Sequence, residues 1–310
     1  MPAFHHDLRL GRFIPPLSVG PRVAKFANRG SVKPPDAAVD LLIEDVDVPG
    51  LEGAPPVALR LYRPRALTGR APALLWLHGG GMVLGNHVQD EASNINFART
   101  LGITVASVNY RLAPDYPAPA AVEDAYAALA WLVGNAGSRG VDPGKIAIGG
   151  ASAGGGVAAG LALLAHDRGT ITPAFQLLVY PMIDDRTVAR TDMDTSNVRV
   201  WTRRSNRFGW ASYLGTEPGT EGVSAYAAPA RRADLSGLPP AWIGVGSLDL
   251  FLDEDVAYAA RLNEAGVSCE LMTVEGAFHG FDALFAKTPV AKEFWQAQVD
   301  ALRTSLFPAP

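Results

Sequence analysis

The sequence predicts an α/β fold, in which a mostly parallel sheet of about eight strands carries helices on both faces. From about Pro72 onward, short apolar runs alternate with segments of helical periodicity. Strands that are apolar along their whole length are typical of parallel sheets covered by helices on both sides. With 310 residues, of which 48% are hydrophobic and 19% charged, the chain has ample apolar material for a large core.

The predicted elements follow one another in a regular order. Two strand-like runs, Leu41–Val48 and Val57–Tyr62, flank a Gly/Pro turn and are expected to form a hairpin. Further strands are predicted at Ala73–Leu77, Ile103–Val108, Ile146–Ile148, Phe175–Tyr180, Ala241–Val245 and Glu270–Val274. Helices are predicted at Ala92–Thr100, Ala120–Val133, Gly150–His166, Val256–Ala265 and Val290–Leu306.

Two segments lie outside this alternation. Residues 1–40 are mixed in character, and Pro15, Pro16, Pro34 and Pro35 interrupt any long helix there. Residues 184–233 carry many charges and several aromatic side chains but no strand periodicity. A solvated loop is the alternative, but loops of this length inside a compact domain are usually structured or functional. We therefore predict a helical cap formed by residues 184–233 together with residues 1–40, over a core formed by residues 41–183 and 234–310.

Composition and charge exclude several function classes. The net charge of −4, from 27 basic and 31 acidic residues without a basic stripe, does not favour nucleic acid as a partner. No run approaches ~20 consecutive apolar residues, so no membrane span is expected, and the N-terminus lacks the features of a signal peptide. The single cysteine, Cys269, lies in a strand-like run and fits a buried thiol in a reducing compartment, so a cytoplasmic location is expected. His5 and His6 are adjacent but have no evident further ligands, so no metal site is predicted.

A G-x-S-x-G pattern, Gly150-Ala151-Ser152-Ala153-Gly154, lies at a predicted strand-to-helix junction. Such a turn is so tight that the positions two before and two after the serine favour glycine. The turn exposes the serine hydroxyl, and the amides at the start of the helix favour negative charge there. Ser152 is therefore the candidate nucleophile. Because the pattern is common, a glycine-rich turn without chemistry is the alternative.

A second glycine-rich segment, His78-Gly79-Gly80-Gly81, follows the predicted strand Ala73–Leu77. Glycines let the backbone approach a ligand closely, and its N–H groups can stabilise the oxyanion of an acyl-transfer reaction. A phosphate-binding loop is the competing interpretation, but neither Lys-Ser/Thr after the glycines nor a G-x-G-x-x-G pattern is present here. We expect His78 to hold this loop through hydrogen bonds rather than to act as a base.

A nucleophilic serine also needs a histidine base and a carboxylate that orients it. In one arrangement of such residues the chain order is serine, acid, histidine. Among the histidines beyond Ser152, His166 falls ~20 Å along the helix that starts at the serine, at ~1.5 Å per residue. His279 follows the last predicted strand in a loop with nearby glycines, and it is the candidate base.

The candidate acid is Asp249, which follows the predicted strand Ala241–Val245 and so lies at its carboxyl end. Asp253, Glu254 and Asp255 are rivals, but three acids at the start of the next helix are typical of a helix N-terminal charge cluster. Asp184 and Asp185, after the strand Phe175–Tyr180, are a weaker alternative.

These motifs together resemble the hormone-sensitive lipase-like carboxylesterases, the bacterial family IV type of the α/β-hydrolase superfamily. The resemblance runs from about Leu74 to Phe281, and HGGG, YRLAPD at Tyr110–Asp115, GASAGG and HGF occur in the expected order. It implies an α/β-hydrolase fold, ester hydrolysis without a cofactor, a cap built from the N-terminal region and an insertion, and a possible homodimer.

The resemblance also implies roles for individual residues. The amides of Gly80, Gly81 and Ala153 would form the oxyanion hole, and Tyr110–Asp115 would belong to a structural segment near the site. Two positions depart from the family pattern. Ala151 stands where the family usually has Asp or Thr, so a polar side chain that could anchor loops or water is missing, and Asp115 replaces a usual Glu.

The sequence therefore predicts a serine carboxylesterase that hydrolyses short- to medium-chain esters through an acyl-enzyme. An amidase or lactonase with the same triad is the alternative, because the same residues serve those reactions. A non-catalytic small-molecule receptor is less favoured, because such a protein is expected to have lost a triad residue. Four side chains are candidates for an apolar substrate pocket, or else pack within the cap: Met82, Trp201, Phe208 and Trp210.

Overall fold

An eight-stranded sheet runs through the part of the chain that the computed structural model describes, which is residues 4–16, 18–28 and 38–308. Its strands are β1 (Leu41–Val48), β2 (Val57–Pro64), β3 (Ala71–Leu77), β4 (Thr104–Asn109), β5 (Val141–Ala151), β6 (Phe175–Val179), β7 (Ala241–Gly246) and β8 (Cys269–Val274). Their order across the sheet is β1-β2-β4-β3-β5-β6-β7-β8. The β1–β2 and β2–β4 pairs are antiparallel and the others are parallel, so the predicted hairpin and the mostly parallel sheet are confirmed.

The burial of the strands explains why they pair in this way. Every residue of β3, β6 and β7 is buried, as expected for central parallel strands covered on both faces. The edge strand β1 instead exposes several of its residues to solvent. Cys269 at the start of β8 is 9% exposed, and burial raises the pKa of its thiol to about 12, which agrees with the predicted buried thiol.

Helices cover both faces of the sheet. They are α1 (Pro21–Ala27), α2 (Glu91–Leu101), α3 (Ala120–Gly134), α4 (Ala136–Arg139), α5 (Ala153–Arg168), α6 (Arg203–Leu214), α7 (Leu252–Glu264), α8 (Phe281–Leu284) and α9 (Pro289–Leu306). The buried residues of α3, α5 and α7 belong to one apolar cluster, and those of α2 and α9 to a second cluster on the opposite face. Of the described helices, none is long and apolar enough to cross a membrane.

The segment 184–233 contains α6 and two short 3₁₀ helices, Asp185–Ala189 and Pro229–Arg231. It packs on the glycine-rich segment His78–Gly81, called the glycine loop below. A Cβ atom built on Gly81 would lie 2.0 Å from the ring of Trp201, which belongs to the segment 184–233. The N-terminal region joins it, because the Ser18 hydroxyl lies 2.9 Å from that of Thr202 and the Val19 N–H donates to Ser205 at 2.9 Å. Pro34 and Pro35 lie outside the described residues. Whether these two segments act as a cap stays a prediction.

Candidate active site

Ser152 occupies a strained turn between β5 and α5. Its backbone angles are φ 56° and ψ −121°, in a region that non-glycine residues rarely adopt. A Cβ atom built on Gly150 would lie 2.5 Å from the carbonyl oxygen of Leu77, and one built on Gly154 would lie 2.0 Å from the same oxygen. The glycine requirement at both positions is thus explained by the close approach of β3. The predicted start of the helix near Gly150 is wrong by a few residues, because β5 continues to Ala151 and α5 begins at Ala153.

Three predicted residues come together at the carboxyl end of the sheet. The Ser152 hydroxyl oxygen lies 2.9 Å from Nε2 of His279, and Nδ1 of His279 lies 2.7 Å from Oδ2 of Asp249. The other carboxylate oxygen of Asp249 accepts the N–H of Phe251 at 3.0 Å. All three side chains are nearly buried, with Ser152 6% exposed and Asp249 and His279 each 5% exposed. A serine whose hydroxyl faces an imidazole held by a carboxylate has the geometry of an activated nucleophile.

Two aromatic rings fix the imidazole from the sides. The ring of Tyr180 meets that of His279 edge-on at 4.8 Å between centroids, and that of Phe251 does so at 5.3 Å. Tyr180 directly follows β6 and has a positive φ of 36°. Its hydroxyl donates to Asp282 at 2.8 Å. Tyr180 was not predicted as a site residue, since an aromatic residue at the end of an apolar strand gives no sign of a long-range contact.

The glycine loop bends toward the serine. Gly80 and Gly81 have φ values of 125° and 62°, and a Cβ on Gly80 would lie 2.1 Å from the carbonyl oxygen of Leu84. Glycine is therefore required at both positions. Within the described part of the chain, the N–H groups of Gly80, Gly81 and Ala153 take no part in the backbone hydrogen bonds of the turns and loops. These amides remain available to a ligand.

His78 supports this loop, in agreement with the prediction. Its Nδ1 lies 2.8 Å from the carbonyl oxygen of Gly79, which also accepts the side-chain amide of Gln89 at 3.3 Å. The imidazole stacks on Tyr110 at 4.2 Å, and the Tyr110 hydroxyl donates to the carbonyl oxygen of His78 at 2.6 Å. Complete burial lowers the pKa of His78 to about 4, so the ring is neutral near pH 7.

The rival acids make other contacts. Asp253 pairs with Arg190, and Asp184 pairs with Arg186. Glu254 accepts hydrogen bonds from the N–H groups of Ile183 and Asp184, and burial raises the pKa of its carboxyl group. Among the described residues, the carboxylate that contacts His279 is Asp249.

The candidate pocket residues lie in or against the apolar core. Met82, Trp201 and Trp210 are at most 4% exposed and belong to the cluster on the α3–α5 face, against which Phe208 packs. Two cavities of about 410 Å³ and 540 Å³ are described, and neither is lined by these four residues. Their role in substrate binding stays a prediction.

A group of three side chains with potential metal-ligand atoms lies outside the triad. His5, His6 and Asp7 bring one potential ligand atom each within 4.8 Å of one another. Asp7, the third residue of this group, had no sign in the sequence that linked it to the two histidines. Asp7 also accepts the N–H of Val290 at 3.1 Å, which gives its carboxylate a structural role at the start of α9.

The fold and the geometry define a class of protein, namely hydrolases of the α/β-hydrolase fold with a serine nucleophile. Comparison with known proteins agrees. A family model described as alpha/beta hydrolase fold matches residues 74–283. The chain is 34% identical over 293 residues to carboxylesterase NlhH of Mycobacterium tuberculosis, covering 93% of this chain and 90% of that protein. It is 32% identical over 282 residues to an ethyl acetate hydrolase of Pseudomonas putida, covering 89% of this chain and 86% of that protein.

A solved structure shows the same likeness over nearly the whole chain. A bacterial heroin esterase superposes with a TM-score of 0.89 at 35% identity, covering 98% of each chain. The chain belongs to this α/β-hydrolase family, in the hormone-sensitive lipase-like branch that its motifs indicate, and is a carboxylic ester hydrolase of the serine esterase type.

Proposed function

We propose that Ser152, His279 and Asp249 hydrolyse short- to medium-chain carboxylic esters through an acyl-enzyme intermediate. The observation that carries the proposal is the pair of contacts made by His279, 2.9 Å to the serine oxygen and 2.7 Å to the carboxylate of Asp249. Both contacts lie within hydrogen-bond reach, so proton transfer from the serine needs no rearrangement of the side chains.

In the first step, the Ser152 oxygen attacks the ester carbonyl while Nε2 of His279 takes its proton. Asp249 holds the proton on Nδ1, which leaves Nε2 free to accept, and stabilises the imidazolium that forms. His279 then donates the proton to the leaving alcohol. In the second step His279 activates a water molecule, which attacks the acyl-enzyme and releases the acid.

The amides of Gly80, Gly81 and Ala153 would stabilise the oxyanion of both tetrahedral intermediates. The support for this role is that each N–H is unused by the backbone of the described loops. The amide of Ala153 also begins α5, where the helix dipole favours negative charge. Donors fixed in advance stabilise developing charge without reorganising during the reaction.

The preference for short and medium acyl chains rests on two observations. Trp201 packs over the glycine loop, and the buried Trp210 lies in the same segment, residues 184–233, that we propose as the cap. Bulky rings at this place leave less room for a long acyl chain. A relative of 32% identity is named for ethyl acetate, an ester with a two-carbon acyl group. An amide or lactone substrate is the second candidate, because the same triad and oxyanion donors serve those bonds.

The test is a series of p-nitrophenyl esters from acetate to palmitate, measured with the wild type, Ser152→Ala and the control Ser236→Ala. Ser236 is exposed and lies outside the triad, so its variant should keep wild-type turnover. We expect turnover to be highest for short or medium chains and to fall by about 10⁴-fold or more in Ser152→Ala. Wild-type-like turnover in Ser152→Ala would overturn the mechanism, and faster hydrolysis of palmitate than of butyrate would overturn the chain-length preference.

The proposal extends to a cytoplasmic location and a homodimer. The buried thiol of Cys269 is compatible with a reducing compartment. Cell fractionation and light scattering of the purified protein test these two points separately from catalysis.

A further inference from the structure

A cavity of about 540 Å³ lies beside the catalytic residues, on the face of the sheet covered by α2 and α9. Its walls include Ala151, which precedes the nucleophile, and Tyr180, whose ring contacts His279. Neither Ser152 nor His279 lines it. The volume falls within the roughly 300–1,000 Å³ typical of small-molecule sites.

Two carboxylates face this cavity. Asp90 is the N-cap residue of α2, but its side chain makes no capping hydrogen bond and instead accepts the indole N–H of Trp76 at 2.8 Å. Asp282 accepts the hydroxyl of Tyr180 at 2.8 Å. Burial, and then the charge of Asp282, raise the pKa of Asp90 to about 6. Burial also raises the pKa of Asp282. When both groups are ionised, two carboxylates in one cavity wall attract a positive charge.

Among the described residues, both carboxylates accept hydrogen bonds but neither has a cationic partner. No Lys, Arg or His side chain of the described residues forms an ion pair with Asp90 or Asp282. Lys292 is exposed and contributes to the wall without pairing with either acid.

A buried polar side chain adds an independent sign of a ligand. Gln298 on α9 lines the cavity and is only 3% exposed. Its amide nitrogen donates to the carbonyl oxygen of Phe294 at 3.3 Å, whereas its Oε1 accepts no hydrogen bond from the described residues. As an acceptor in a cavity wall, this oxygen suits a ligand with N–H donors.

The remaining wall is aromatic, with the side chains of Trp76, Trp295 and Tyr180. Aromatic rings attract cations, most strongly when the ring is an indole. Ala151 contributes only a methyl group to the wall, at the position where the sequence departs from its family. A larger acidic side chain there would occupy part of this space or add a third carboxylate.

We propose that this cavity binds a small organic ammonium ion, with its N–H donors on Asp90, Asp282 and Gln298 and its alkyl part against the indole rings. The exposed residues Asn96, Ala286 and Lys292 in the wall give it an opening to solvent between α2 and α9. The site is separate from the esterase reaction and does not depend on the proposed ester substrate.

The test is calorimetric titration of the wild-type protein at pH 7.5 with butane-1,4-diammonium and with butylammonium, using 1-butanol as the neutral control. We expect saturable binding of an ammonium ion at one site and none of the alcohol. The double variant Asp90→Asn/Asp282→Asn should weaken binding by about tenfold or more. The matched double variant Asp115→Asn/Asp300→Asn, at exposed positions, should bind as the wild type does.

A second variant keeps the test valid if the double substitution does not fold. Ser93→Phe on α2 places a ring in the cavity and leaves both carboxylates unchanged, and we expect it to abolish binding. Absence of saturable binding to the wild type would overturn the proposal. So would unchanged affinity in Ser93→Phe and in the folded double variant, since the ion would then bind elsewhere. Because titration measures no turnover, these outcomes are independent of whether the protein hydrolyses esters.

Discussion

Asp249 controls which nitrogen of His279 carries the proton. One carboxylate oxygen accepts the Phe251 N–H and the other faces Nδ1 of His279. In Asp249→Asn the side-chain amide must keep its oxygen toward the Phe251 N–H, so its NH₂ faces Nδ1. The proton then moves to Nε2, which can no longer accept the proton of Ser152. We expect kcat to fall by about 10³–10⁴-fold with little change in KM, measured with p-nitrophenyl butyrate.

The control for this change is Asp253→Asn, four positions further along the chain. Asp253 is exposed and pairs with Arg190 rather than with His279. Its variant should keep wild-type kcat. A loss of less than about tenfold in Asp249→Asn would mean that another group orients the imidazole.

At the scale of single residues, the triad was predictable because each member carries a local sign. Ser152 lies within a glycine pattern, Asp249 follows an apolar strand, and His279 is the histidine that follows the last strand. Tyr180 and Gln298 carry no such sign. Tyr180 contacts Asp282, 102 positions away, and Gln298 lines a cavity together with Trp76 and Ala151, and no local pattern encodes either relation.

Among the elements, the segment after β4 holds the glycine loop through Tyr110. Its hydroxyl is the donor to the carbonyl oxygen of His78, and its ring stacks on the imidazole. Tyr110→Phe keeps the ring but leaves that buried carbonyl without this donor, at a cost of about 1–3 kcal/mol. Because the loop also carries the proposed oxyanion donors, we expect kcat/KM to fall by about tenfold.

The matched control is Tyr126→Phe on α3. Tyr126 is also nearly buried, and its hydroxyl lies 2.8 Å from that of Thr170, away from the glycine loop. Both variants should lower the melting temperature measured by circular dichroism, but kcat/KM should fall only in Tyr110→Phe. Equal kinetics in the two variants would show that Tyr110 serves the fold alone.

Strands and helices were predicted well where the apolar pattern is strong, as in β3, β6 and β7, which are buried throughout. The boundaries of β5 and α5 were less predictable. Glycine and alanine fill both elements near Ser152, so hydrophobicity does not mark where the strand ends. The end is instead fixed by the approach of Leu77, which is a tertiary contact.

For the molecule as a whole, the order of strands brings residues from distant segments to one edge of the sheet. The carboxyl ends of β5 and β7 provide Ser152 and Asp249, and the loop after β8 adds His279. That convergence follows from a parallel sheet and was predictable. The packing of residues 184–233 was not, because it depends on individual contacts such as Trp201 against Gly81 and Ser205 with Val19 rather than on a repeating pattern.

The stability of the whole molecule should depend on pH through Asp255. This residue is 0% exposed, and neither carboxylate oxygen has a hydrogen-bond partner among the described residues. Burial, with the charges of Glu254 and Asp249, raises the pKa of its carboxyl group well above the usual value. The folded state therefore holds the proton more tightly than the unfolded chain. The stability from this preference is complete below pH about 4 and is lost as the pH rises through the folded-state pKa.

Asp255→Asn cannot ionise and so removes this loss. We expect the melting temperature of the variant to exceed that of the wild type by on the order of 2–5 °C at pH 8, with the difference shrinking toward pH 4. Thermal melts across that range, with Asp115→Asn at an exposed position as the control, measure the effect. A difference that does not change with pH would show that folding does not shift the pKa of the Asp255 carboxyl group. A lower melting temperature of the variant at pH 8 would mean that the carboxylate is stabilising, in conflict with its lack of partners.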